Sequence, residues 1–151
     1  MEAVIFVGIQ ASGKSTFYRE RFFDTHVRVS RDLLKTKSRE QVLLEACLRT
    51  KQPFVVDNTN VTAAERARYI QAARAAGFRV VGYFFRATTR EAIARNRLRA
   101  GRAVIPVPGI LGTYKKLEEP RREEGFDELY AVTLTPANAW IVEELRPEGA
   151  D

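Results

Sequence analysis

At 151 residues, with 45% hydrophobic and 29% charged side chains, the chain has the length of one ordinary domain and the composition of a globular, water-facing protein rather than a disordered one. No apolar run approaches the roughly 20 residues that a membrane-crossing helix needs. A formal charge of +6, from 25 basic against 19 acidic residues, favours a polyanionic partner such as nucleic acid, although an Arg-rich composition set by a GC-rich genome or by heat adaptation would produce the same excess.

The N-terminal run Met1 to Phe6 lacks the basic start and cleavage site of a signal peptide, so it reads as folded structure in a cytoplasmic protein. Runs rich in Val, Ile, Phe and Tyr predict strands at about 2–7, 26–30, 53–57, 78–85 and 129–134. Helices are expected over about 14–22, 38–51, 62–76, 88–100, 107–118 and 136–145, with Gly77 closing the third. Strands joined through helices run parallel, and continuous apolar runs such as Val80 to Phe85 suit a sheet covered on both faces. The expectation is an α/β fold: one domain over residues 1–146, a five-stranded, mainly parallel sheet flanked by helices, and a flexible tail at 147–151. The lone Cys47, in the apolar stretch Val42 to Leu48, is expected to pack in the core.

Directly after the first strand, Gly8-Ile9-Gln10-Ala11-Ser12-Gly13-Lys14-Ser15-Thr16 satisfies G-x-x-x-x-G-K-[ST] and opens a helix. In such a P-loop, successive backbone N–H groups and the positive helix end face a phosphate. Gly8, Gln10, Ala11, Ser12, Gly13, Lys14, Ser15 and Thr16 are therefore the candidate cradle for ATP or another nucleoside triphosphate. Lys14 would reach the β- and γ-phosphates, and Ser15 would hold Mg²⁺ through its hydroxyl. The loop alone serves kinases, GTPases and motor ATPases alike.

Other segments narrow the branch. The strand Phe54-Val55-Val56-Asp57 runs into Asn58-Thr59-Asn60, without the glutamate that a hydrolytic ATPase uses to activate water, and no guanine-reading Asn-Lys-x-Asp stretch occurs. The second strand ends in Ser30-Arg31-Asp32, at the carboxyl edge where doubly wound sheets bind ligands. On pattern alone Asp32 fits two roles, N-cap of the segment beginning at Leu33 or general base toward an attacking hydroxyl. Six arginines, Arg86, Arg90, Arg95, Arg97, Arg99 and Arg102, are opposed only by Glu91. On a helix at about 100° per residue Arg95, Arg99 and Arg102 share one stripe, with Arg90 and Arg97 on another. The stripes read either as a solvated basic face or as phosphate contacts.

These residues resemble the kinase module of the 5′-polynucleotide kinases, enzymes that heal DNA and RNA ends. The likeness covers about residues 3 to 134 and is carried by Gly8 to Thr16, Ser30-Arg31-Asp32, Asp57-Asn58-Thr59-Asn60, Ala64 to Tyr69, Arg95-Asn96-Arg97, Ile105-Pro106-Val107, Tyr114-Lys115-Lys116, Glu119-Pro120 and Glu124-Gly125-Phe126. The resemblance implies an adenylate-kinase-like P-loop fold with an arginine-bearing lid. It implies Asp32 as general base and Arg95 and Arg99 as lid arginines acting with Lys14. It also implies an acceptor site drawing on Arg31, Lys35, Asp57 and Asn60, with Asp57 close to the metal. The expected activity is Mg²⁺-dependent transfer of the γ-phosphate of ATP, or a similar triphosphate, to the 5′-hydroxyl end of DNA or RNA. A kinase of a small hydroxyl compound and a non-catalytic ATP-binding switch are the alternatives.

Overall fold

Alternation along the first strand organises the molecule. In β1 (Glu2–Val7), Ala3, Ile5 and Val7 join one core cluster with Leu44, Cys47 and Ile70, while Val4 and Phe6 join a second with Phe17, Tyr18 and Phe22. A strand apolar on both faces is what a parallel sheet between two helical layers demands. Burying each such Phe or Ile contributes roughly 1.5–3 kcal/mol. Cys47 is buried in the core, as its surroundings predicted.

The computed structural model describes residues 1–99 and 104–146; the tail expected at 147–151 lies outside the described residues. Around β1 stand β2 (Val27–Val29), β3 (Phe54–Val56), β4 (Arg79–Phe85), β5 (Glu128–Leu134) and β6 (Trp140–Glu144), in the order β2-β3-β1-β4-β5-β6. The first five are parallel. The sixth runs antiparallel to β5, pairing Leu134 with Trp140 and Val132 with Val142.

That sixth strand corrects two expectations, the strand count of five and the helix over 136–145. The chain reverses at Thr135–Ala139, where Thr135 N–H donates to Ala139 O at 2.8 Å and Asn138 adopts a left-handed φ of 59°. Trp140-Ile141-Val142 then suits a sheet better than a helix, and the open side of β5 supplies its ladder.

The helices are α1 (Lys14–Arg21), α2 (Arg31–Leu34), α3 (Lys37–Thr50), α4 (Ala63–Ala75), α5 (Thr89–Asn96) and α6 (Val107–Lys116). Phe17 and Tyr18 place α1 on one sheet face; Leu44 of α3 and Ile70 of α4 cover the other. The hydroxyl-bearing residues Ser30, Thr36, Thr62 and Thr88 stand one position before α2, α3, α4 and α5, and each accepts the N–H three residues on, a cap worth about 1 kcal/mol. Gly77 follows α4 with φ 82°, the left-handed closure expected there.

The fourth long helix is shorter than the sequence pattern indicates: α5 stops at Asn96, not at residue 100. The buried Asn96 side chain donates to Ile105 O at 2.5 Å and accepts from Ile105 N–H at 2.8 Å, fastening the helix end to the start of the next element. Arg97 and Arg99 therefore lie beyond the helix, so the helical stripe does not group Arg95 with Arg99; Arg102 lies outside the described residues.

Candidate active site

The turn between β1 and α1 has backbone conformations that side chains disfavour. Gly13 adopts φ 100°, and a Cβ there would meet the Trp140 ring at 2.8 Å. Ala11 is left-handed at φ 59°, at a cost of about 1–2 kcal/mol. Such cost is characteristic of loops shaped for a ligand. Gln10, Ala11, Gly13, Lys14, Ser15 and Thr16 line a cavity of about 120 Å³ above this turn. Gly8 and Ser12 stand behind it. Gly8 O accepts from Lys14, and the buried Ser12 Oγ has no partner among the described residues, a donor available to a phosphate oxygen.

Lys14 Nζ donates to Gly8 O at 2.9 Å and Ile9 O at 2.7 Å. Burial lowers its pKa to about 8; Asp57 pulls it upward and Arg99 pushes it down further. The ammonium is thus held by neutral carbonyls and poorly hydrated, the condition under which an arriving phosphate is attracted most strongly.

At the end of β3, Asp57 is almost fully buried and its Oδ2 accepts from Ser15 Oγ at 3.1 Å and from Arg28 Nε at 2.8 Å. The hydroxyl and carboxylate together supply hard oxygen donors of the kind Mg²⁺ takes beside substrate phosphates. Among the described residues no group of three or more His, Cys, Asp or Glu side chains could hold an ion by itself. Ser15 and Asp57 therefore fit a metal that keeps water and phosphate oxygens as most of its shell.

From the lid side, Arg95 Nη1 donates to Ala11 O at 3.4 Å, and Arg99 lines the loop cavity. The sequence grouped these two by helical phase. In the structure Arg95 reaches the loop from the last turn of α5, and Arg99 does so from the segment beyond the helix.

A second, larger cleft of about 580 Å³ adjoins the first. Its walls include Arg31, Lys37, Asn60, Arg68 and Tyr69, and it shares Gln10, Asp32, Asn58, Thr59 and Ile105 with the loop cavity. Ser30, not Asp32, caps α2, accepting from Leu33 N–H. The capping role for Asp32 is thereby removed, and its exposed carboxylate stands at the junction of the two cavities.

Acceptor-side expectations are met unevenly. Arg31 lines the cleft. Lys35 does not line either cavity: it ends α2 with φ 72° and is exposed, because the chain must turn sharply to enter α3. Lys37 takes the wall position instead. Asn60 touches the cleft, but its Nδ2 donates to Phe6 O and its own carbonyl accepts from the buried Arg66, so its main task is to tie the loop to β1. Asp57 faces Ser15 rather than the larger cleft.

Three side chains at the site received no role in the sequence reading, although Arg68 lies in the Ala64 to Tyr69 stretch that carries the resemblance. Arg28, on β2, bonds both Asp57 and Ser15. Arg68, on α4, lines the cleft. Glu40, on α3, lies fully buried beneath it and accepts from Arg31, Asn58, Arg68 and Tyr69. Burial favours the neutral acid, but the hydrogen bonds from Tyr69, Arg31 and Asn58 and the Arg31 charge outweigh it, so Glu40 lies below the ordinary carboxylate range. One buried anion thus braces two cleft arginines.

Fold and loop together define a P-loop protein of kinase-like architecture. Residues 4–109 match the AAA domain family, and the chain belongs to it. Over 131 residues it is 28% identical to a bifunctional polynucleotide phosphatase/kinase from Schizosaccharomyces pombe; the match covers 83% of this chain and 32% of that relative, so the chain spans about a third of its length. Similar solved structures include a gluconokinase from Sinorhizobium meliloti, at TM-score 0.63 and 19% identity over 87% of this chain and 82% of that one. Chaetomium thermophilum Kti12, crystallised with ADP-AlF3, superposes at TM-score 0.66 and 15% identity over 90% and 92% of the two chains. At these identities the likeness to solved structures is one of fold.

Proposed function

We propose that this protein is a Mg²⁺-dependent kinase that transfers the γ-phosphate of ATP, or a similar triphosphate, to the 5′-hydroxyl end of DNA or RNA. The observation that carries the reading is the position of Asp32, at the junction of the P-loop cavity and a cleft walled by Arg31, Lys37 and Arg68. A hydroxyl presented from the cleft meets a carboxylate on its way to the loop, and the phosphodiesters behind it meet cations.

The loop amides and Lys14 hold the donor. Ser15 and Asp57 would hold Mg²⁺, which would supply charge neutralisation on the donor phosphates. Asp32 accepts the proton of the acceptor hydroxyl as that oxygen bonds the γ-phosphorus and the bond to the β-bridging oxygen breaks, leaving the nucleoside diphosphate. Arg95 and Arg99 offset the charge on the transferred group. The cations Arg31, Lys37 and Arg68 in the cleft wall, with the Schizosaccharomyces pombe relative, favour a polynucleotide over a small polyol.

The test is transfer of radiolabel from γ-labelled ATP to a 5′-hydroxyl oligonucleotide, beside a 5′-phosphorylated control and a small polyol. Label on the 5′-hydroxyl strand alone supports the proposal. Label on the polyol alone, or ATP binding without any transfer, overturns it.

A further inference from the structure

Alternation along β2 sets up an unusual contact at the P-loop. Val29 belongs to the core cluster of Leu44 and Cys47, so Arg28, one residue earlier, turns to the opposite face, where α1 begins with Lys14 and Ser15. There its guanidinium closes a ring of three hydrogen bonds. Nε donates to Asp57 Oδ2 at 2.8 Å, Nη2 donates to Ser15 Oγ at 3.2 Å, and Ser15 Oγ donates to the same Asp57 oxygen at 3.1 Å. The Asp57 side chain is 2% exposed and that of Arg28 28%. The cation thus reaches the buried carboxylate from the solvent side, and Arg28 also lines the loop cavity.

We propose that Arg28 is a built-in cation of the metal site, engaging the same two oxygens that would ligate a divalent ion and thereby coupling metal binding to arrival of the triphosphate. The inference rests on the reading of Ser15 and Asp57 as metal ligands. Arginine keeps its charge at every working pH, so a divalent ion reaching Ser15 and Asp57 alone must displace or repel a fixed positive charge. A triphosphate brings the negative charge that lets the two cations coexist or exchange. Metal and nucleotide then bind as a unit, and each tightens the other by the same factor.

The experiment measures Mn²⁺ binding by electron paramagnetic resonance, with and without a non-hydrolysable ATP analogue, in the parent protein, Arg28→Gln and Arg28→Lys. The parent binds Mn²⁺ weakly alone and much more tightly with the analogue. Removing the charge in Arg28→Gln tightens binding of Mn²⁺ alone by about tenfold or more, as expected when a like charge leaves a partly buried site, and shrinks the analogue-dependent gain correspondingly. Arg28→Lys retains the parental pattern. Adding Asp57→Asn to Arg28→Gln abolishes the gained affinity. Circular dichroism confirms the fold of each variant, and Arg28→Met replaces Arg28→Gln should the latter fail to fold.

Unchanged or weaker affinity for Mn²⁺ alone in the folded, charge-free variant overturns the proposal, the weaker result marking Arg28 as a prop for Asp57. Gained affinity that survives Asp57→Asn also overturns it, because the ion then sits elsewhere. Since no acceptor is present, failure to phosphorylate oligonucleotides would end the polynucleotide reading without touching this result. Absence of Mn²⁺ binding even with the analogue would end both the metal reading and the role of Arg28.

Discussion

Tyr69 donates its hydroxyl hydrogen to Glu40 at 2.5 Å, and this contact sits at the centre of the buried hub that braces Arg31 and Arg68 beneath the larger cleft. Burial, with the hydrogen bond to Glu40, raises the Tyr69 pKa to about 12, so the phenol stays protonated and keeps donating across the working range. The same contact helps hold Glu40 ionised inside the protein.

Substituting Glu40→Gln removes the buried acceptor of two partly exposed arginines, which water can then solvate, and is expected to cost about 1–3 kcal/mol. Tyr69→Phe leaves one acceptor short and should cost about 1–3 kcal/mol. Urea denaturation measures both. Because the folded pKa of Glu40 lies below the ordinary carboxylate value of 4.5, its stabilisation is fully present above that value and is lost as pH falls through the folded pKa. The acid limb of the stability curve should be shallower in Glu40→Gln than in the parent.

Lys14 gives a pH effect of the same sign in a more alkaline range. Its pKa is about 8 in the folded protein against an ordinary lysine value of 10.5, so between those values the unfolded chain binds more protons and this group makes stability rise with pH. A bound triphosphate favours the charged ammonium. Titration calorimetry at pH 8.5, in buffers of different ionisation enthalpy, should show proton uptake on ATP binding, and Lys14→Met should remove that uptake together with turnover. Equal uptake by the folded variant would assign the proton to another group.

Much of this site was legible because its grammar is local. Gly8 to Thr16 specifies a phosphate loop by residue type and spacing, and Asp32 lies two residues beyond a recognisable strand. The hub was not legible: Glu40 lies within Lys37-Ser38-Arg39-Glu40-Gln41, which reads as a solvated first turn, and only the packing of α3 against α4 buries it. Arg28 reads likewise as the polar residue of a Val-Arg-Val strand until the parallel pairing of β2 with β3 brings Asp57 beside it. At the other end, Glu143 and Glu144 in β6 favour helix in isolation, and pairing with β5 overrides them.

Asp32→Asn should preserve shape and ATP affinity while lowering the transfer rate by roughly 10²–10⁴-fold, the usual contribution of a general base. Ser30 supplies the cap of α2, so no loss of stability is expected to confuse the comparison. Parental single-turnover rates in the Asn variant would remove Asp32 from the chemistry.

Arg99→Lys should lower the rate while leaving the melting temperature unchanged, because a point charge does not reproduce a planar fork spanning two phosphoryl oxygens. A control in this region must avoid Glu91, whose contacts hold the start of α5. Glu91 forms a capping box with Thr88, accepting from Thr88 N–H while its own N–H bonds Thr88 Oγ1. Arg90 is exposed and lines neither cavity, so Arg90→Lys provides the proper comparison. Equal rates for the Arg99 and Arg90 variants would reduce Arg99 to diffuse electrostatics.

The acceptor separates a polynucleotide kinase from a small-molecule kinase by its charge. Arg31, Lys37 and Arg68 give the larger cleft three cations beside the carboxylates of Asp32 and Glu65, and a strand laid across the three cations releases counterions from each phosphate they neutralise. The logarithm of oligonucleotide affinity should therefore fall against the logarithm of salt with a slope of about −0.7 per phosphate contacted. Arg68→Gln should reduce that slope by about one contact, whereas Lys35→Gln, outside the cleft, should leave it nearly unchanged. The measurement is Kd for 5′-hydroxyl oligonucleotides of increasing length at several salt concentrations, with ATP affinity followed in parallel to remove its own salt effect. Affinity that neither grows beyond a single nucleoside nor falls with salt would defeat the polynucleotide reading and leave a phosphotransferase of small alcohols as the surviving account of the cleft.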